Sequence, residues 1–190
     1  MTVNELTGLP IIEEGEASPE IAAMYAEIKR EMHLPFVPNI YKSVAVSPGM
    51  LQTYWTLSKA LYQHMSLPEA LVSIVFYAVA HSNQCQYCSA NHEMNCRLMG
   101  IDEGILQSVA NDLDKVSPER VRAMVEFALL VAHDPKSVSL EEYDRLRQYG
   151  LTDSEIVELV FLAGLGNMGD IMADSLKVEV DTATREALAR

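Results

Sequence analysis

Basic residues are scarce in this chain: 14 Lys and Arg stand against 27 Asp and Glu in 190 residues, a formal net charge of −13. A field of that sign repels phosphate backbones and anionic lipid surfaces, so neither nucleic acid nor a membrane is an expected partner. Cysteines number three, too few and of the wrong parity for the disulfide framework of a small secreted domain. The apolar run at 71–80 is about half as long as a membrane-crossing helix requires. The opening residues, MTVNEL, have neither the basic n-region nor the apolar h-region of an export signal, and the expected location is the cytoplasm. No glycine-rich loop is placed to cradle a phosphate, and no organic cofactor is expected. Strand-like alternation of apolar and polar residues is missing as well.

What remains is helix almost throughout, which predicts an all-α fold. Ser18 with Pro19, Ser47 with Pro48 and Ser117 with Pro118 each offer an N-cap followed by a proline in the first helical turn. The two prolines at 35 and 38 break the first helix, because neither they nor the residues before them continue one. The strings SLEE at 139–142 and TDSE at 152–155 have capping-box spacing. Gly100 and Gly150 are placed to stop the helices before them. The reading is a single domain over 1–190: an extended arm at 1–17, a half at 18–115, and a second half at 116–180. VSIVFYA at 72–78 aligns with VELVFLA at 157–163, which makes the second half a candidate degenerate repeat of the first. In that register Asp170 and Ala173 stand where Cys85 and Cys88 stand, and Glu158 stands at Ser73. Chance matching of aliphatic helices explains the similarity equally well.

The chemistry concentrates in CQYCSANH at 85–92, directly after the apolar helix. At about 100° per residue, Cys88 and His92 are i, i+4 neighbours on one helix face, and Cys85 lies one turn earlier on the same stripe. A helix start favours a thiolate, so the layout is that of a reactive thiol, its base and a resolving thiol, with Cys85 the more exposed sulfur. The polar flanks Gln84, Gln86, Ser89 and Asn91 argue against burial of both cysteines. Metal binding is disfavoured. Cys85 and Cys96 are separated by about 16 Å of helical rise, and zinc bonds span only about 2.0–2.3 Å. A partial site of Cys85, Cys88 and His92 would need distortion and an outside ligand. Cys96 reads as core packing. Tyr54, Trp55, Phe76 and Tyr87 read as core aromatics before they read as a pocket wall.

These residues resemble the AhpD-like/carboxymuconolactone decarboxylase superfamily, within it the group called peroxidase-related enzymes. The resemblance rests on the CxxC-x3-H string with its preceding aliphatic helix, on VPN at 37–39, SPGML at 47–51, residues 127–134 and YGLTDSEI at 149–156, and spans about 18–180. It implies an AhpD-like helical fold, homo-oligomers of three or more chains, and thiol-dependent reduction of small organic hydroperoxides, with an external dithiol as reductant. Carried over by position, Cys88 is the peroxidatic thiol, Cys85 resolves it, and His92 belongs to the proton relay. The family's relay glutamate lies twelve positions before the first cysteine, and Ser73 occupies that place. A hydroxyl does not accept and return a proton at pH 7 as a carboxylate does. Glu69 and His81, on the same predicted helix, are the candidate substitutes. Two alternatives stand beside the peroxidase: a general dithiol–disulfide oxidoreductase, and a non-enzymatic oligomer whose thiols are structural or hold metal.

Overall fold

Most helix signals written in the sequence are used in the structure, a computed structural model that describes residues 2–189. Ser117 with Pro118 is the exception, since the helix after it begins at Glu119 with no side-chain cap. Ser18 accepts from the Ile21 N–H to start α1 (Pro19–Glu31). α2 (Asn39–Val44) follows Pro38, and α3 runs over Pro48–His64. α4 (Glu69–Ser82), α5 (Gln86–Leu98), α6 (Glu103–Asn111), α7 (Glu119–His133), α8 (Leu140–Gln148), α9 (Asp153–Ser175) and α10 (Thr182–Leu188) complete the series. The capping box at Ser139 and Glu142 closes in both directions. Thr152 and Glu155 cap α9 reciprocally. Gly100 and Gly150 adopt positive φ, 73° and 81°, where their helices stop.

Two local readings are corrected. The segment expected as an extended arm folds back on itself: Thr2–Val3 (β1) pairs antiparallel with Pro10–Ile11 (β2), and a 3-10 turn follows at Glu14–Glu16. Pro118 stands at the N-cap of α7 where the sequence offers Ser117, and α2 adds a helix between the break at 35–38 and the start at Ser47, its six residues too few to display a helical period.

The described chain divides into two compact units. The first takes the residues up to His64 together with Ala173–Asp181. Its core is built on Ile28, Val37 and Leu51, all fully buried, with the Tyr41 and Trp55 rings edge to face at 5.9 Å. Asp181 accepts from the Asn39 N–H at 2.9 Å and holds the later segment onto the start of α2.

The second unit, Met65–Met172 with the C-terminal segment from Thr182, carries the CxxC string. α4 is its axis: every residue from Val72 to Ala80 is buried, so the helix is apolar on all faces, as a helix surrounded by others must be. It packs most extensively on α5 and α7. Glu158 of α9 accepts from the Ser66 and Leu67 N–H groups and from the Ser66 hydroxyl, fixing the approach to α4. α9 lies close on α4 at Gly166, where an added Cβ would come within 3.1 Å of Val79 Cγ1. The absence of a side chain there is what lets the next turn of α9 reach the α4–α5 junction.

α9 has 23 residues and a window of mean hydropathy 1.5, sufficient by length and composition to cross a membrane. The sequence reading, which took the run at 71–80 as the longest apolar segment, did not single it out. Its inner face, with Leu159, Leu162 and Ala163 fully buried, belongs to the core of the second unit.

Candidate active site

α4 ends at Ser82, and only Asn83, Gln84 and Cys85 separate it from α5. Gln84 takes a positive φ of 59°, and the Cys85 N–H closes back on Ala80 O at 3.0 Å. This tight reversal makes Cys85 the N-cap of α5, and its Sγ accepts from the Cys88 N–H at 3.4 Å. The two thiols therefore face inward. Cys85 is fully buried and Cys88 is 7% exposed. That overturns the expectation of a solvent-facing pair with Cys85 outermost. The polar flanks do lie outside, with Gln84 and Gln86 exposed, but i, i+3 spacing turns both sulfurs to the opposite face.

The third member of the cluster arrives from α9. Cys85 Sγ, Cys88 Sγ and a carboxylate oxygen of Asp170 all lie within 4.8 Å of one another. Asp170 is buried, and Asn83 Nδ2 donates to it at 2.6 Å. The same amide donates to Asn167 Oδ1 at 2.8 Å, while Asn167 Nδ2 donates to Ala132 O at 2.7 Å. The end of α4, the end of α7 and α9 thus hold one carboxylate in place. All three cysteines are free thiols. The hydrogen bond with Cys85, burial and the Asp170 charge together push the Cys88 pKa well above the usual thiol range. Cys88 accordingly rests as a thiol. The helix N-terminus does not make it a standing thiolate.

His92 sits one turn beyond Cys88 and stacks on Phe76, ring centroids 5.0 Å apart and planes 15° from parallel. Burial pushes its pKa down to about 4, so it is neutral at pH 7 and a weak proton acceptor. The residue is partly buried and keeps some solvent access.

Neither protein-family models nor curated proteins match the sequence. Solved structures do. An uncharacterized peroxidase-related protein from Ralstonia eutropha JMP134, described as an alkylhydroperoxidase AhpD core, is similar with TM-score 0.80 at 24% identity, over 97% of this chain and 93% of that one. A peroxidase-related protein from Silicibacter sp. TM1040 gives TM-score 0.82 at 20% identity, over 97% and 96%. The debrominase Bmp8 gives 0.80 at 15% identity, over 96% and 97%. This chain has the AhpD-like fold.

Within that AhpD-like fold, the relay candidates fall in different places. Ser73 is buried, but its hydroxyl meets the Met99 thioether at 3.5 Å, because in the antiparallel α4–α5 pair residue 73 faces the far end of α5. Glu69 is exposed near the start of α4. His81 is exposed, its ring 5.8 Å from that of Tyr77. Glu158 is occupied with the approach to α4. Cys96 packs among Ile74, Tyr77, Leu106 and Val125, and burial pushes its pKa to about 12, in keeping with a packing residue.

Among the described residues no fourth His, Cys, Asp or Glu joins Cys85, Cys88 and Asp170 in one cluster, and His92 does not take part in it. A closed four-ligand zinc site of the structural type is thus not formed by these side-chain types. Asp170 is the site residue that sequence reasoning missed. Its signal was present: it is the single charged residue between 159 and 173, in a stretch of helix where Asn167 is the only other polar residue.

Proposed function

We propose that this protein is a thiol-dependent oxidoreductase that reduces small organic hydroperoxides through the Cys85–Cys88 pair. The observation that carries the reading is the buried cluster of two free thiols and one fixed carboxylate, in an AhpD-like fold. Cys88 is the attacking sulfur: it retains some accessibility, whereas Cys85 is sealed and already receives the Cys88 N–H. The Cys88 sulfur attacks the distal oxygen of the hydroperoxide, the O–O bond breaks and the alcohol leaves. Cys85 then displaces water from the Cys88 sulfenic acid to form the disulfide, which an external dithiol reduces. His92, neutral on Phe76, serves as an uncharged hydrogen-bonding group toward the substrate. Such recycling suits a reducing cytoplasm.

The test is a mass-spectrometric thiol count on the reduced protein before and after one equivalent of tert-butyl hydroperoxide. Rapid loss of two thiols as a Cys85–Cys88 disulfide is expected. If both stay reduced while diamide oxidises them, the peroxidase reading fails and dithiol exchange replaces it. The raised Cys88 pKa bears on both readings alike, since the thiolate is the nucleophile toward peroxide and disulfide and a poorly ionised thiol needs a partner to take its proton.

Self-association is part of the same proposal. Val157, Val160, Phe161 and Ile171 expose an apolar stripe along α9, spaced at i, i+3 and i+4 and extended a few turns on. Phe161→Glu is expected to lower the assembled mass seen by light scattering; an unchanged mass, or a monomeric parent, would remove this stripe as the interface.

A further inference from the structure

Asp170 is the buried titratable group that the dithiol reaction leaves without a task. It lies on an apolar stretch of α9, where a carboxylate is costly to keep. Asn83 Nδ2 donates to the carboxylate at 2.6 Å, and the same amide is held by Asn167 Oδ1 at 2.8 Å, Asn167 in turn being anchored on Ala132 O. The carboxylate so held meets the two sulfurs within 4.8 Å. The side chains expected to handle the proton do not compete for this place: Ser73 is engaged at Met99, and Glu69 and His81 are exposed.

We propose that Asp170 is the proton acceptor for Cys88, a catalytic residue contributed by α9 to a thiol pair contributed by α5. The assignment rests on the hydroperoxide reading above. As the Cys88 sulfur bonds to the distal oxygen, its proton passes to the Asp170 carboxylate. The electron pair of the broken O–O bond leaves with the alkoxide, which takes the proton back from Asp170 and departs as alcohol. Sulfur is oxidised to the sulfenic acid and the peroxide is reduced. Condensation with the Cys85 thiol then releases water and forms the disulfide, and an external dithiol returns both thiols.

Charge explains why the carboxylate suits a thiol that is not ionised beforehand. Cys88 and Asp170 share one proton and one negative charge before and after transfer, so the step places no second charge in the interior. The groups facing the pair are consistent with this. Cys85 on α5 is a thiol, Asn83 and Asn167 are uncharged amides, and His92 is neutral above about pH 4. His133, at the end of α7, is bonded to Ser82 Oγ at 2.8 Å.

The experiment compares wild type, Asp170→Asn and Asp170→Glu, each as the full chain. Two rates are followed: oxidation of Cys88 by tert-butyl hydroperoxide at pH 7, and alkylation of Cys88 by iodoacetamide at pH 10, where hydroxide can take the thiol proton in place of a side chain. Asp170→Asn is expected to slow the peroxide reaction about 100-fold or more, the usual contribution of a positioned base. Its alkylation should be no slower than wild type, and Asp170→Glu should recover most of the peroxide rate. A peroxide rate unchanged or raised in Asp170→Asn would overturn the proposal, since that is the effect of a carboxylate that merely holds the thiol protonated. Equal slowing of both reactions, shared by Asp170→Glu, marks a structural residue and overturns it too. A wild type inert to hydroperoxide but oxidised by diamide would remove the hydroperoxide reading instead. The acceptor is then judged on the diamide reaction at pH 7, where the same order of the three proteins is required.

Discussion

Cys88→Ser is expected to abolish hydroperoxide reduction, whereas Cys85→Ser is expected to consume one equivalent and stop. A serine hydroxyl at 88 would face the same carboxylate but lacks the polarisable, weakly basic sulfur that attacks an O–O bond. The loss is expected to fall below detection, on the order of a thousandfold or more, as when a nucleophile is removed. Cys85→Ser leaves the nucleophile and Asp170 untouched. It removes the one thiol among the described residues that lies within 4.8 Å and can displace water from the sulfenic acid. Mass spectrometry of the peroxide-treated proteins separates the two. Cys85→Ser gains one oxygen, trapped by dimedone, and Cys88→Ser gains none. The reverse pattern would exchange the two cysteines' functions. Cys96 does not substitute as resolving thiol, being buried among the side chains between α4, α5 and α7.

Acidification from pH 7 to 4.5 is expected to cost about 2 kcal/mol of folding stability through His92 alone. Its pKa is about 4 in the folded chain, against an ordinary value of about 6.5. Between those values the unfolded state binds a proton that the folded state does not. The contribution is therefore fully present above pH 6.5 and is lost as pH falls toward 4. Linkage over that interval gives somewhat more than 2 kcal/mol, reduced here because part of the ring meets solvent. Many carboxylates titrate in the same range, so the measurement is a difference. Urea midpoints of wild type and His92→Gln at pH 7 and 4.5 should show the gap between the two proteins shifting by about 2 kcal/mol against wild type at the lower pH. A gap independent of pH would mean that His92 charges freely on Phe76.

Most helices were legible because their ends are chemical. Ser18, Ser139, Thr152 and the glycines at 100 and 150 act locally, and the structure uses each as its residue type predicts. The α2 segment and the β1–β2 pair were not legible, since six residues or two carry too little periodicity to be distinguished from connection. The thiol pair was legible through spacing. Its burial was not, because flanking polarity reports on the other faces of the helix, where Gln84 and Gln86 do lie. The carboxylate was the hardest to foresee. Asp170 follows Cys85 by 85 positions, and only the packing of α9 on α4 at Gly166 brings the two together.

The order in which the ribosome delivers this site has a consequence of its own. Both thiols and Asn83, the donor to Asp170, are synthesised well before the turn of α9 that carries Asn167 and Asp170. A nascent chain therefore exposes an unsupervised CxxC pair during the interval in which some eighty residues are added, several seconds at ordinary elongation rates. Chains cut between 100 and 165 retain every cysteine and still lack the carboxylate. They would count as fully reduced protein in a thiol assay without containing an assembled centre.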